Sequence, residues 1–154
     1  MKTCFVLCVS LALSGVAMAG DSDEQTQEQK KITKIVSDIV DAAQKKQLDR
    51  LDAFHWYGPK FSKFEDDGLG RQDAAAGKKG EREGLAAVKS FAAKVSDLKV
   101  DVFGSAAVAT MILAYDVDTG KDKVSGKDRS TLVFAKENGA WKIVHEHHSP
   151  LKNP

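Results

Sequence analysis

The sequence predicts an α+β fold in a single domain, and three observations support this class. Apolar residues with helical spacing fill the first half of the chain, whereas alternating apolar and polar residues fill the second half. The Asn138-Gly139 pair between two predicted strands is the strongest short hairpin signal in the chain. The chain shows neither an internal repeat nor a domain-sized linker. We therefore expect helices followed by an antiparallel meander.

The first 19 residues have the pattern of an export signal. Lys2 gives a positive start, residues 4–13 are apolar, and Ala17-Met18-Ala19 is a small-x-small cleavage site. The apolar run is shorter than the ~20 residues that span a bilayer, so no membrane anchor is expected. We expect cleavage after Ala19 and a secreted or periplasmic mature protein.

Composition excludes several classes of function. Cys4 and Cys8 both lie in the signal, so the mature chain is expected to have no disulfide, cysteine nucleophile or thiolate metal site. The formal net charge of +1 falls to 0 when the signal and its single charged residue, Lys2, are removed. A neutral chain with interspersed charges is not expected to bind nucleic acid. The glycines of residues 68–84 lack the context of a phosphate-binding loop, and no cofactor is predicted.

Two helices are expected after a flexible leader over residues 20–27, and the domain proper is expected to span residues 28–154. Thr26 and Gln29 have the spacing of a capping box. An apolar stripe at helical spacing follows, with a break near Gln47; its members are Ile32, Ile35, Val36, Ile39, Val40 and Ala43. An aromatic segment with a Gly58-Pro59 turn comes next. Residues 68–84 hold five glycines and are expected to be a mobile loop before a second helix over residues 85–95.

Strands fill the rest of the chain. Apolar residues alternate over 98–103, 106–117 and 129–136, with a polar connection over 119–126, and the last strand covers 140–148. The strand over 106–117 is apolar on both faces. Because such a sheet needs two covers, we expect the helices on one face and a second subunit on the other. The predicted assembly is a homodimer through the sheet.

The last strand carries the densest chemistry in the chain. A strict period of two places Trp141, Ile143, His145 and His147 on one face. That face combines a large apolar anchor with two imidazoles, which is typical of a cavity wall. The same period directs Glu146 and His148 away from the cavity, to the surface or to a dimer contact.

The motifs resemble those of the nuclear transport factor 2-like superfamily, specifically its SnoaL-like branch, which also includes ketosteroid isomerase and the calcium/calmodulin-dependent kinase II association domain. The matching pieces are Pro59-Lys-Phe-Ser-Lys-Phe-Glu-Asp-Asp-Gly68 and Gly139-Ala-Trp-Lys-Ile-Val-His-Glu-His-His-Ser149. The resemblance implies a cone-shaped fold, in which a curved antiparallel sheet wraps the N-terminal helices, encloses a pocket and joins a dimer. It implies no single activity, because members include isomerases, cyclases, dehydratases, binding modules and oligomerisation hubs.

Several side chains are candidates for the site. His145 and His147, with Asp66 or Asp67, could move a proton, although imidazoles also shape pockets and Asp-Asp-Gly is ordinary turn chemistry. The residues expected to contact a ligand are Trp56, Tyr57, Trp141, His145 and His147. No metal site is predicted, because no spacing fixes His55 or Glu65 as a third ligand beside the two histidines.

The leading hypothesis is an exported protein that binds a small, largely apolar molecule. One alternative is an acid/base enzyme of isomerase, dehydratase or cyclase type that uses the pocket His and Asp side chains. A further alternative is an oligomerisation module. The sequence identifies neither a ligand nor a substrate.

Overall fold

The computed structural model describes residues 19–65 and 70–152, apart from the side chains of residues 19–22 and 24. The predicted signal, except for Ala19, lies outside the described residues, and so do Asp66 and Asp67. Among the described residues, no helix has both the length and the apolar character needed to cross a membrane.

Three helices and five strands follow one another along the described chain. The helices are α1 (Ala19–Gln44), α2 (Leu48–Asp52) and α3 (Ala74–Ala87). The strands are β1 (Ser62–Phe64), β2 (Ser90–Phe103), β3 (Ala106–Asp118), β4 (Lys123–Glu137) and β5 (Ala140–Pro150). The α+β class predicted from the sequence is confirmed.

The five strands form one curved, open sheet in the order β1-β5-β4-β3-β2. Neighbours among β2 to β5 are antiparallel, whereas β1 pairs parallel with β5 and makes the sheet mixed rather than purely antiparallel. The predicted Asn138-Gly139 turn is confirmed between β4 and β5: both residues have positive φ, 49° and 81°, as a tight hairpin requires.

The inner face of the sheet packs on α1. Ile32 and Val36, from the predicted helical stripe, are buried against β-strand residues such as Phe134 and Ile143. Gln25 and Gln29 donate hydrogen bonds from their Nε2 atoms to the carbonyl oxygens of Val102 and Val100 on β2. Helix α1 is therefore held along the sheet by both apolar burial and polar contacts.

The boundaries of two helices differ from the sequence predictions. Helix α1 begins at Ala19 and includes residues 20–27, so the predicted leader is helical, and Thr26 does not begin the helix. The predicted loop over 68–84 is largely α3, which Asp73 caps by accepting a hydrogen bond from the Ala76 amide at 2.9 Å. The predicted helix over 85–95 is wrong after Ala87, because residues 90–95 begin β2. Apolar side chains there meet the helical spacing and the strand alternation equally well.

A β-bulge in β5 decides which side chains face inward. Val133 pairs with His145 and Phe134 pairs with Ile143, so Val144 is an extra residue with no partner in the register. Trp141 and Ile143 face the core before the bulge, and Glu146 is buried after it. The inward positions are therefore 141, 143, 146 and 148, and the strict period of two fails at Val144.

Candidate functional site

A cavity of about 600 Å³ lies between the inner face of the sheet, α1 and α3. Its walls are mostly apolar. They include Val36, Ile39, Val40, Ala43, Leu51, Leu85, Val88, Phe91, Ala93, Met111, Leu113, Val117 and Leu132. The polar lining comes from Lys63, Glu65, Glu81, Tyr115, Asp128, Ser130, Glu146 and His148. A cavity with apolar walls and a few polar groups is typical of small-molecule sites.

Glu146 is the centre of a buried polar cluster beside this cavity. Its Oε1 lies 2.9 Å from His55 Nε2, and its Oε2 lies 3.1 Å from Lys63 Nζ. Burial alone would raise the pKa of Glu146, but the charge of Lys63 and the hydrogen bond from His55 hold this pKa well below its usual range. Glu146 is therefore an anion held between two cations.

His55 is the buried partner that completes this pairing. Its Nδ1 lies 3.0 Å from the carbonyl oxygen of Leu51, which only accepts, so Nδ1 carries a proton. Its Nε2 faces the carboxylate of Glu146. Burial opposes the charged ring, yet the hydrogen bond and charge of Glu146 outweigh it and raise the pKa of His55. The imidazolium form, with both nitrogens donating, fits these contacts.

Lys63 is unusual because its charged side chain is buried: it points from the short strand β1 into the interior. Its Nζ contacts Glu146 on β5 and lies 2.8 Å from Glu65 Oε1. Although burial would lower the pKa of Lys63, the charges of Glu146, Glu81 and Glu65 raise it. The lysine therefore stays charged and is committed to carboxylates of the protein.

Glu81 on α3 is the second carboxylate of the cluster, and it is less well compensated. Tyr57 donates a hydrogen bond from its hydroxyl to Glu81 Oε2 at 2.8 Å, and His55 Nε2 lies 3.9 Å from the same oxygen. Burial, followed by the charge of Glu146, raises the pKa of Glu81. Burial and the charge of Glu81 likewise raise the pKa of Tyr57, which keeps its phenol protonated. A cavity carboxyl whose pKa is raised by burial is a candidate to donate or accept a proton.

His148 supplies a neutral imidazole to the same cavity. Its Nδ1 lies 2.9 Å from the Ser130 hydroxyl. Burial lowers the pKa of His148, although the charge of Glu146 acts in the opposite direction. The prediction that Glu146 and His148 face away from the cavity is wrong, because the bulge at Val144 turns both of them inward.

The predicted ligand-contact residues are not among those that line this cavity. His145 and His147 lie on the outer face of β5, where the ring of Phe64 packs edge-on against each at 6.0 Å between centroids. His145 Nδ1 is 2.8 Å from the hydroxyl of Ser62. The same bulge that brings Glu146 inward turns these two histidines outward.

The predicted aromatic contacts have structural partners instead. Trp141 is buried and donates from Nε1 to Glu28 Oε2 at 2.6 Å. Tyr57 stacks on His55 with ring centroids 4.8 Å apart, and so stands behind Glu81 rather than at the cavity wall. The Trp56 amide donates to the carbonyl of Ile143 at 2.8 Å.

The sequence reasoning missed the roles of His55, Lys63, Glu81, Glu146 and His148. Lys63 and Glu146 pair across β1 and β5, and both side chains point inward. The bulge that turns Glu146 inward contains no glycine and leaves no mark in the composition. The inward direction of these side chains therefore could not be predicted from the sequence. The role of Glu81 could not be predicted, because the glycines around it in the sequence suggested a loop.

One group of described residues has the geometry to hold a metal ion. His55, Glu81 and Glu146 offer ligand atoms that all lie within 4.8 Å of one another. Lys63 and the protonated His55 already supply positive charge to Glu146, and a metal ion would have to displace both. The donor set therefore favours a protein-only ion cluster over a metal centre.

Solved structures share this fold at low sequence identity. A nuclear transport factor 2-like superfamily protein from Salmonella enterica aligns over 83% of this chain and 94% of its own, with 18% identity and a TM-score of 0.74. A candidate scytalone dehydratase from Novosphingobium aromaticivorans aligns over 85% of this chain and 89% of its own, with 14% identity and a TM-score of 0.73. The association domain of CaMKII from C. elegans aligns over 82% and 98%, with 17% identity and a TM-score of 0.69. At these identities the likeness establishes the fold alone.

Sequence comparison agrees with the structural one. Among curated proteins, none matches this sequence significantly. The family model described as "SnoaL-like domain" matches residues 32–152, which cover α1 from Ile32 onward, all five strands and the cavity between them. The chain therefore belongs to the SnoaL-like family, and it shares the fold of the nuclear transport factor 2-like structure.

Proposed function

We propose that this protein binds a small, largely apolar molecule in the cavity between α1, α3 and the sheet. The observation that carries the proposal is the cavity itself, whose volume of about 600 Å³ suits a small ligand. Apolar walls would bury the body of the ligand, and Glu81 and His148 would contact its polar group. A cavity of this size supports ligand binding more than a role in assembly alone.

A matched pair of substitutions tests the proposal. Ala93 lines the cavity, whereas its neighbour Ala92 is exposed on the opposite face of β2. Isothermal titration calorimetry with 4-phenylbutan-1-ol should show binding to the native protein and to Ala92→Phe, and none to Ala93→Phe, because the new ring fills the cavity. Equal binding by both variants would place the ligand elsewhere.

A second candidate function is acid/base catalysis of isomerase, dehydratase or cyclase type. It is favoured by Glu81, a cavity carboxyl with a raised pKa beside Tyr57, and by the neutral His148, which lines the same cavity. Glu81 would move the proton in place of Asp66 or Asp67, and His148 in place of His145 or His147. Molecules that co-purify with the protein, identified by mass spectrometry, would be incubated with it and analysed for conversion. Turnover that survives Glu81→Gln, or that is lost in His147→Ala, would contradict this assignment.

We also propose that the protein is exported and forms a homodimer through the sheet. Export is supported by the signal pattern of residues 1–19. The dimer is supported by half-buried apolar side chains on the outer face of β3 and β4, among them Val108, Ile112 and Val133. Cell fractionation with N-terminal sequencing tests the first proposal, and analytical ultracentrifugation of the native protein and Ile112→Lys tests the second.

A further inference from the structure

We infer that the polar group of the ligand is a cation, so that the cavity takes a small apolar molecule bearing a protonated amine. This inference rests on the proposed binding function and specifies its ligand class. It comes from the balance of charges around the polar end of the cavity.

Carboxylates outnumber cations at this end of the cavity. Three lining carboxylates meet here: Glu65 directly after β1, Glu81 on α3 and Glu146 on β5. Lys63 is the one cation that lines the cavity among the described residues. His55 adds a second positive charge behind the wall. Two cations therefore face these three carboxylates.

Both cations are already engaged by two of these acids. Lys63 contacts Glu146 and Glu65 at 3.1 and 2.8 Å, and His55 contacts Glu146 at 2.9 Å. Glu81 receives its closest hydrogen bond from the neutral hydroxyl of Tyr57, and the charged His55 is 3.9 Å away. The neighbouring cations of α3 point elsewhere: Arg82 contacts Asp49 and Asp52, and Lys78 contacts Asp52. Glu81 is the carboxylate that a ligand cation would complete.

An anionic ligand would be repelled by the same carboxylates. An incoming carboxylate or phosphate would approach Glu81 and Glu146, and it could recruit Lys63 only by taking it from Glu146. Such a step would leave a buried anion without its partner, which is costly. An ammonium group instead pairs with Glu81 and can donate further hydrogen bonds to the Ser130 hydroxyl.

The apolar walls fit the rest of such a molecule. Phe91 and Tyr115 line the cavity on β2 and β3, and an aromatic face also attracts a cation. Tyr115 lies directly over Gly126, its cross-strand partner on β4, where a side chain would collide with the phenol ring. The absence of a side chain at Gly126 leaves the space that Tyr115 occupies.

Three probes with one skeleton test the inference by titration calorimetry at pH 7 and low salt. They are 4-phenylbutylamine, 4-phenylbutan-1-ol and 4-phenylbutanoate, whose charges differ by one unit at each step. We expect the amine to bind at least about tenfold more tightly than the alcohol, and the carboxylate to bind most weakly. The variant Glu81→Gln should lose about tenfold in amine affinity and keep its alcohol affinity. The control is Glu83→Gln on the same helix, because its side chain is 69% exposed and does not line the cavity.

A measurement on the native protein avoids any dependence on how the variants fold. An ammonium group that binds beside Glu81 favours the charged form of this carboxyl, whose pKa is raised in the free protein by burial and by Glu146. Titrations at a series of pH values below the pKa of the amine should therefore show an amine affinity that rises with pH as Glu81 loses its proton, and an alcohol affinity that does not.

The outcomes separate this inference from the proposed function. If the alcohol binds as tightly as the amine, or if the amine affinity does not rise with pH, the cation inference is overturned and the binding function stands. If none of the three probes binds, both are overturned. Preferential amine binding that disappears in Glu81→Gln and persists in Glu83→Gln supports both.

Discussion

Two buried glutamates, Glu28 and Glu146, have similar surroundings but different balances of charge. Glu28 on α1 accepts hydrogen bonds from Trp141 at 2.6 Å and Lys31 at 2.7 Å, and Lys136 lies 3.2 Å away. Lys136 also lies over the Trp141 ring, 5.5 Å from its centroid. Here one carboxylate faces two cations, and the three donors satisfy it completely.

Glu146 likewise has two cations, Lys63 and His55, but a second carboxylate shares them. Glu81 stands on the cavity side of this cluster and carries a raised pKa, first through burial and then through the charge of Glu146. The cluster around Glu28 is therefore fully paired and joins α1 to β5, and we call these contacts of Glu28 the clamp. The cluster around Glu146 leaves one acid available to the cavity, which is why we place the chemistry there.

The largest effect should come from Glu146→Gln, which leaves Lys63 and His55 buried without their shared anion. Breaking a buried ion pair on one side costs about 3–5 kcal/mol, so the free energy of unfolding should fall by about 3 kcal/mol. Urea denaturation measures this free energy of unfolding. Adding Lys63→Met to this variant should restore part of the loss. A loss below about 0.5 kcal/mol, the usual range of surface substitutions, would contradict the charge pairing described here.

A smaller, pH-dependent effect is expected at Glu28. Hydrogen bonds from Lys31 and Trp141 lower the pKa of Glu28 to about 2 from an ordinary value of 4.5, against the opposing effect of burial. A carboxyl with a depressed pKa in the folded state stabilises the protein above its unfolded pKa, and this contribution is lost as the pH falls from about 4.5 towards 2.

The variant Glu28→Gln measures that contribution. Because Lys31 is 60% exposed and solvent screens it, the loss should be about 2 kcal/mol at pH 7 rather than the full value of the shift. The difference in unfolding free energy between the native protein and the variant should shrink as the pH is lowered through this window. A difference that is constant with pH would show that Glu28 does not form the clamp.

The smallest of these effects tests how α3 carries Glu81 to the cavity. A Cβ at Gly77 would lie 2.8 Å from Cε1 of the buried Phe61, whereas one at Gly84 would meet nothing within 4 Å. Gly77→Ala should therefore destabilise the fold by about 1–2 kcal/mol through overpacking. Gly84→Ala should stabilise it by about 0.5–1 kcal/mol through helix propensity. Thermal denaturation of the two variants provides the comparison, and equal shifts in Tm would contradict the close packing of α3 on Phe61.

The two clusters also show how far the sequence can predict this molecule. The helical stripe with Ile32 and Val36, the break near Gln47 and the Asn138-Gly139 turn follow from local periodicity and turn chemistry, and the structure bears them out. Trp141 was expected to anchor the last strand, and its burial agrees.

The candidate site was less predictable because it depends on contacts distant in the chain. Glu81 reaches the cavity from a helix whose glycines resemble a loop, and that helix is stabilised by packing on Phe61 rather than by its own propensity. Lys63 pairs with Glu146 only because β1 adds in parallel to β5, and no local pattern specifies that pairing.

The extra residue at Val144 makes β5 a strand with two alternative sets of functional groups. If Val144 paired with Val133 and the bulge were lost, strict alternation would carry the imidazoles of His145 and His147 inward while Glu146 and His148 turned to the exterior. A one-residue shift in the pairing of β5 could thus replace a carboxylate and imidazole with a pair of imidazoles. Such a one-residue shift gives this architecture a short evolutionary route between different chemistries. It also offers protein engineers a way to change the polar side chains that face the same cavity.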